Sequence, residues 1–280
     1  MTTLWAPSSD AVEVAVHDLG GAGPNLLLSH ATGFHGHCYR PVADALSTRA
    51  HNYCLDYRGH GLTRAPEDWQ VDWEAYGDDA LAAAHLIAPE GGLIGFGHSM
   101  GGACLLMAAA RHRNLFEVII AFEPIVFPPV DPSAEMPDNP LVAGARRRRS
   151  EFDSLEDAIA NYSSKPPLNT LHPDALRAYV EHGFEQRDDG SITLRCRPEH
   201  EARTFETGAQ HHVWEQLAQI ETAVVIIAGQ HAPHTPASIA APIADALPNA
   251  EFIVMDHLDH FGPMTHPDEI ADVIARSAGL

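Results

Sequence analysis

Along the first half of the chain, apolar residues gather in short blocks bounded by turn-forming residues, at 12–16, 25–29, 51–56, 93–97 and 118–122. Two more follow late, at 223–228 and 252–255. Blocks of this length, enriched in β-branched residues, predict strands, most of them buried. Between them lie stretches with helical spacing of apolar positions, at 41–47, 73–88, 101–112, 237–246 and 267–278. Strands alternating with helices predict an α/β fold, a mostly parallel twisted sheet with helices on both faces.

The alternation breaks between about residues 128 and 219. The stretch opens with the proline-rich run FPPVDP and continues with helical patterns at 141–152, 155–162, 173–182 and 200–206. One short strand, 191–196, follows Asp188-Asp189-Gly190. A mainly helical insert between two strands of such a sheet predicts a cap over the strands' carboxyl ends. The expected division is a core of residues 1–127 and 219–280 with a cap of 128–218.

The 280 residues, 45% of them hydrophobic, suffice for one α/β domain carrying an inserted subdomain. A net charge of −21 repels phosphate backbones and anionic lipid, so neither nucleic acid nor a membrane surface is an expected partner. The arginine run at 146–149 is read as a solvated or salt-bridged helix face. No apolar stretch reaches the roughly 20 residues that cross a bilayer. The N-terminus has neither the positive start nor the apolar run of a secretory signal. Cys38, Cys54, Cys104 and Cys196 lie far apart without C-x-x-C spacing; Cys54 and Cys104 sit in apolar segments and read as small buried hydrophobes. This pattern fits a reducing cytoplasm.

Candidate chemistry begins at Gly97-His98-Ser99-Met100-Gly101, a Gly-x-Ser-x-Gly placed after an apolar block and before a helical pattern. A serine on so sharp a strand-to-helix turn is strained and presents its hydroxyl at the sheet edge, and the glycines let neighbouring backbone pass close by. The amino end of the following helix favours developing negative charge. Ser99 is therefore the candidate nucleophile.

With three further segments this motif resembles the α/β-hydrolase superfamily over most of the chain outside the insert. Leu28-Ser29-His30-Ala31-Thr32-Gly33-Phe34 is similar to the family's His-Gly segment, and Asp56-Tyr57-Arg58-Gly59-His60-Gly61-Leu62-Thr63 to its Asp-x-Arg-Gly-x-Gly-x-Ser turn. His260-Phe261, followed by Pro267-Asp268-Glu269, resembles its terminal histidine segment and last helix. A serine nucleophile sets the chain apart from the relatives that use a carboxylate.

The resemblance implies His260 as general base, with His257 the nearest competitor. It implies two backbone N–H donors for an oxyanion, from Met100 and from the loop after His30. Thr32 is the expected loop donor, with Ala31 or Gly33 as alternatives because Ala31 replaces the family's usual glycine. The acid departs from the pattern. The position that usually carries an aspartate is Ala232, and no carboxylate occurs between Gln230 and Pro242. Glu123 ends the strand before the insert, where some members of the superfamily carry their acid, and it is the candidate here. Asp256 and Asp259 are fallbacks, close in sequence to His260.

Other residues are read as non-chemical. Strand alternation directs His98 away from the nucleophile, and Arg58 is expected to bond local carbonyls. His231-x-x-His234 and His257-x-x-His260 invite a zinc reading, but nineteen histidines make coincidence the better explanation. Phe34, Trp214 and Phe127 are candidate pocket walls. The expected activity is hydrolysis of a small or medium carboxylic ester, lactone or thioester through an acyl-enzyme, with no cofactor and no metal. Two rivals stand beside it. One is a carbon–carbon bond hydrolase, which needs a cap cation for a substrate carboxylate, from 146–149 or Arg177. The other is a non-catalytic ligand-binding protein on the same fold.

Overall fold

The computed structural model describes residues 2–128 and 139–280, so most of the proline-rich run FPPVDP lies outside the described residues. In chain order the first elements are β1 (Thr2–Pro7), β2 (Glu13–Gly21), β3 (Asn25–Ser29), α1 (Arg40–Ala45) and β4 (His51–Asp56). Next come α2 (Trp73–Ile87), β5 (Leu93–His98), α3 (Met100–Arg111) and β6 (Phe116–Phe122). After the insert the chain returns with β10 (Ala223–Ala228), α8 (Ala237–Ala246), β11 (Ala250–Val254), α9 (Gly262–Thr265) and α10 (Pro267–Ala278).

Eight strands form one sheet in the order β1-β2-β4-β3-β5-β6-β10-β11. The β1–β2 and β2–β4 pairs are antiparallel and the rest parallel. The apolar blocks are continuous because the central strands are buried on both faces. Successive residues serve opposite cores: Leu26 and Leu28 pack with α1 and α10 residues such as Val42 and Ile274, while Leu27 packs on the other face with α2 and α3 residues such as Ala80 and Leu105. The first strand, β1, is an edge that the sequence pattern did not predict. Leu4 and Trp5 on it are exposed, so no burial period marks it.

The insert holds α4 (Pro140–Arg146), β7 (Glu151–Phe152), α5 (Leu155–Ser163), α6 (Pro173–Gly183), β8 (Phe184–Gln186), β9 (Ile192–Leu194) and α7 (Pro198–Glu206). It is mainly helical, with a small antiparallel sheet ordered β7-β9-β8. The helix expected over 141–152 stops at Arg146, and its last residues form β7. Arg146 stays outside, paired with Glu199 and Glu206, whereas Arg148 turns inward to Tyr179 Oη at 2.7 Å and Glu201 Oε1 at 2.9 Å. Arg146 and Arg148 are both salt-bridged as expected, but only Arg146 lies on a helix, and Arg148 is turned inward instead of solvated. Among the described residues no helix is long and apolar enough to cross a membrane.

Candidate active site

Three chain segments meet at the carboxyl ends of β5, β6 and β10. The first is the turn at Ser99, with φ 57° and ψ −117° in a region side chains rarely adopt. Tight packing on both sides enforces it. A Cβ on Gly97 would stand 2.6 Å from Gly102 Cα, and one on Gly101 would stand 2.2 Å from the Ser29 carbonyl oxygen. The Ser99 N–H donates to the Phe122 carbonyl at 2.9 Å, and its carbonyl accepts from Ile125 N–H at 3.2 Å. The turn is thus stitched to the end of β6 on either side of Glu123.

Glu123 also has positive φ, 46°, and its N–H donates to the Ile227 carbonyl of β10 at 2.8 Å. This bend carries the buried side chain under the loop after β10. There Oε1 accepts from Gly229 N–H at 2.8 Å, and Oε2 accepts from His260 Nδ1–H at 2.5 Å. The loop that lacks an acid at Ala232 therefore holds the Glu123 carboxylate through its backbone. The same loop steadies the histidine segment, since Gln230 N–H donates to the Leu258 carbonyl at 2.6 Å. His257 points elsewhere, bonded to Glu269 at 2.8 Å. Asp259 caps its own turn through Phe261 N–H, and Asp256 is exposed. The Ser99 hydroxyl makes no hydrogen bond of ordinary geometry to His260 among the described residues.

The loop after β3 lies against the Ser99 turn, with Thr32 Oγ1 3.5 Å from Met100 Sδ. Its amides are mostly committed. Ala31 N–H donates to Tyr39 Oη at 3.2 Å, Gly33 N–H to His60 Nε2 at 3.2 Å and Phe34 N–H to the Ala31 carbonyl at 3.1 Å. That leaves the Thr32 N–H, and at the start of α3 the Met100 N–H, where the first amides have no partner within the helix. His60 accepts because it is neutral: burial first, then His200, pushes it down to about 3. Its Nδ1–H is directed to the Arg58 carbonyl at 3.2 Å.

Of the expected wall residues, Phe34 is near this set, its ring 6.2 Å from Phe261 and 5.5 Å from Tyr179 of α6. Trp214 sits on a 3-10 turn (Val213–Gln219) that packs along α3, in the core on the opposite sheet face from Phe34. Phe127 is exposed. Arg58 bonds carboxylates rather than carbonyls in the main: its buried guanidinium holds Asp79 and Asp10. His98 is buried as expected but does not point away from the site. Its ring centroid is 4.8 Å from that of His260, a proximity that alternation could not reveal because the chain leaves strand geometry at the next residue. Among the described residues no three His, Cys, Asp or Glu side chains converge as metal ligands would.

Comparison with known proteins agrees with this fold. A model of the alpha/beta hydrolase family matches residues 26–273. The 2-(acetamidomethylene)succinate hydrolase of Mesorhizobium japonicum is 25% identical over 252 residues, covering 89% of this chain and 85% of that protein. A pimeloyl-[acyl-carrier protein] methyl ester esterase of Xanthomonas campestris pv. campestris is 25% identical over 271 residues, covering 92% and 96%. A crystal structure of E-2-(acetamidomethylene)succinate hydrolase superposes with a TM-score of 0.78 at 21% identity, over 100% of this chain and 99% of the other. The protein is a member of the α/β hydrolase family.

Proposed function

We propose that the protein is a serine hydrolase that cleaves a carboxylic ester through an acyl-enzyme, with the elements of the insert serving as a cap over the site. Ser99 Oγ attacks the substrate carbonyl while His260 Nε2 takes its proton. Glu123 Oε2 holds the Nδ1–H, fixing the tautomer and stabilising the imidazolium that forms. The carbonyl oxygen, now negative, is received by the N–H groups of Met100 and Thr32. His260 then returns the proton to the leaving alkoxide. A water deprotonated by the same imidazole releases the acid and restores Ser99. The observation that carries this reading is the 2.5 Å bond between Glu123 and His260, made beside a serine in strained turn geometry.

An ester, lactone or thioester is favoured over a carbon–carbon bond next to a substrate carboxylate. Of the arginines that could bind such a carboxylate, Arg146, Arg177 and Arg148 are already paired, with Glu199, Glu181 and the buried Glu201. One relative is named a methyl ester esterase, which supports an ester. The test is turnover of p-nitrophenyl acyl esters of graded chain length by the protein and its Ser99→Ala variant. Hydrolysis by the native protein alone is expected. Failure of the native protein on every ester, or equal rates for both, would overturn the reading.

A further inference from the structure

His98, the last residue of β5, is wholly buried and plays no part in the reaction as written above. Its Nδ1 lies 2.7 Å from Tyr39 Oη, and that buried phenol oxygen also receives the Ala31 N–H at 3.2 Å. An amide N–H can only donate, so the tyrosine keeps its own proton to give, and His98 Nδ1 is the acceptor. The imidazole proton must then sit on Nε2. That atom is buried and has no partner among the described residues. Buried donors are rarely left unpaired without a reason.

The surroundings supply one. Across from the ring stand Phe122 of β6, at 5.7 Å, and the His260 ring, at 4.8 Å and tilted by 56°. The charged or titratable groups that act on His98 are Tyr39, His260 and, from the end of β3, His30. His260 faces Glu123 on one side and His98 on the other. Burial, followed by the nearness of His260, holds His98 well below the usual imidazole range, while the His260 carbonyl acts the other way. The neutral ring therefore offers one N–H within the site.

We propose that His98 and Tyr39 are positioning residues: the buried His98 ring packs against the His260 ring and holds it in place, and Tyr39 ties His98 to Ala31 of the loop that carries Thr32. The oxyanion donors and the base, which come from opposite ends of the chain, are thereby kept at one spacing. This rests on the assignment of Ser99 and His260 above. It adds a readout in pH, because the His98 ring lies 4.8 Å from the imidazole assigned to take the proton.

The experiment is steady-state hydrolysis of p-nitrophenyl acetate by the full chain and its His98→Leu, His98→Gln, Tyr39→Phe and His98→Leu/Tyr39→Phe variants. In His98→Leu, kcat should fall about ten- to a hundredfold with KM within about twofold, as for a misplaced catalytic group. The acid limb of the kcat/KM profile should move up by about half a pH unit. His98→Gln, which keeps an N–H near the same place, should recover most of both. Tyr39→Phe should reproduce the loss, and the double variant should be no worse than His98→Leu. Native kcat and an unmoved acid limb in a folded His98→Leu would overturn the proposal, as would fully additive losses. If His98→Leu does not fold, Tyr39→Phe decides alone, since it removes one oxygen atom; native kcat and acid limb there overturn it. A native protein inert to esters and to fluorophosphonate would instead defeat the serine-hydrolase reading itself.

Discussion

At the scale of single residues, the site depends on backbone conformations that only tight packing can sustain. Gly101 is the clearest case, because α3 lies so close to β3 that a methyl group has nowhere to go. Gly101→Ala should cost about 1–3 kcal/mol, seen as a lowered denaturation midpoint, and should depress esterase activity further by shifting the Met100 N–H. Glu123 is the second. Glu123→Gln keeps the shape but no longer enforces the Nδ1–H tautomer of His260, and kcat should fall by about 10³ to 10⁴. Turnover within a few-fold of native would remove Glu123 from the mechanism. Both positions were legible in the sequence, the glycine from its motif and the glutamate from the absence of any carboxylate between Gln230 and Pro242. His98 and Tyr39 were not. Nothing in periodicity says that a strand's last side chain lies against a histidine from the final loop.

Among the elements, legibility followed burial. The strands β3, β4 and β10 and the helices α8 and α10 were readable to the residue, most directly in β3 and β10, whose apolar runs are nearly continuous. The insert was readable only as mainly helical. Two- and three-residue strands such as β7 and β8 have too few positions to show a period, and β8 follows α6 with no turn residue other than Gly183 to announce it. The loop after β10 now serves as a platform for the Glu123 carboxylate through Gly229 N–H. That arrangement predicts a transplant. In a Glu123→Ala background, Ala232→Asp places a carboxylate where the family usually carries one, and kcat should recover at least tenfold over Glu123→Ala. No recovery in a folded double variant would mean that this loop cannot present an acid to His260.

For the whole molecule, the unusual feature is how many histidines are buried neutral around the β3 and β4 loops. Burial, the largest cause in each case, pushes His30, His37 and His60 down to about 3 and His35 and His200 down to about 4. Each has a folded pKa below its unfolded value near 6.5, so the unfolded chain binds more protons once pH drops below that value. The stability these residues contribute is complete above about pH 6.5. It is lost at up to about 1.4 kcal/mol per pH unit for each as pH falls toward their folded values. Asp56 acts in the same direction at lower pH: burial pushes its carboxyl up, but His17 and the neighbouring imidazoles hold it well below the usual range. Urea denaturation midpoints should therefore be level above pH 7 and fall steeply between pH 6.5 and 4. A midpoint unchanged down to pH 4 would contradict this.

Behind all of these stands one claim, that Ser99 is a nucleophile activated by an imidazole whose acid comes from β6. Its most direct test is intact-mass analysis after treatment with a fluorophosphonate. One adduct per chain is predicted, mapping to the peptide that holds Ser99, absent from Ser99→Ala and formed much more slowly by His260→Gln and Glu123→Gln. A native protein that takes no label, or a label that maps elsewhere and survives Ser99→Ala, would contradict it.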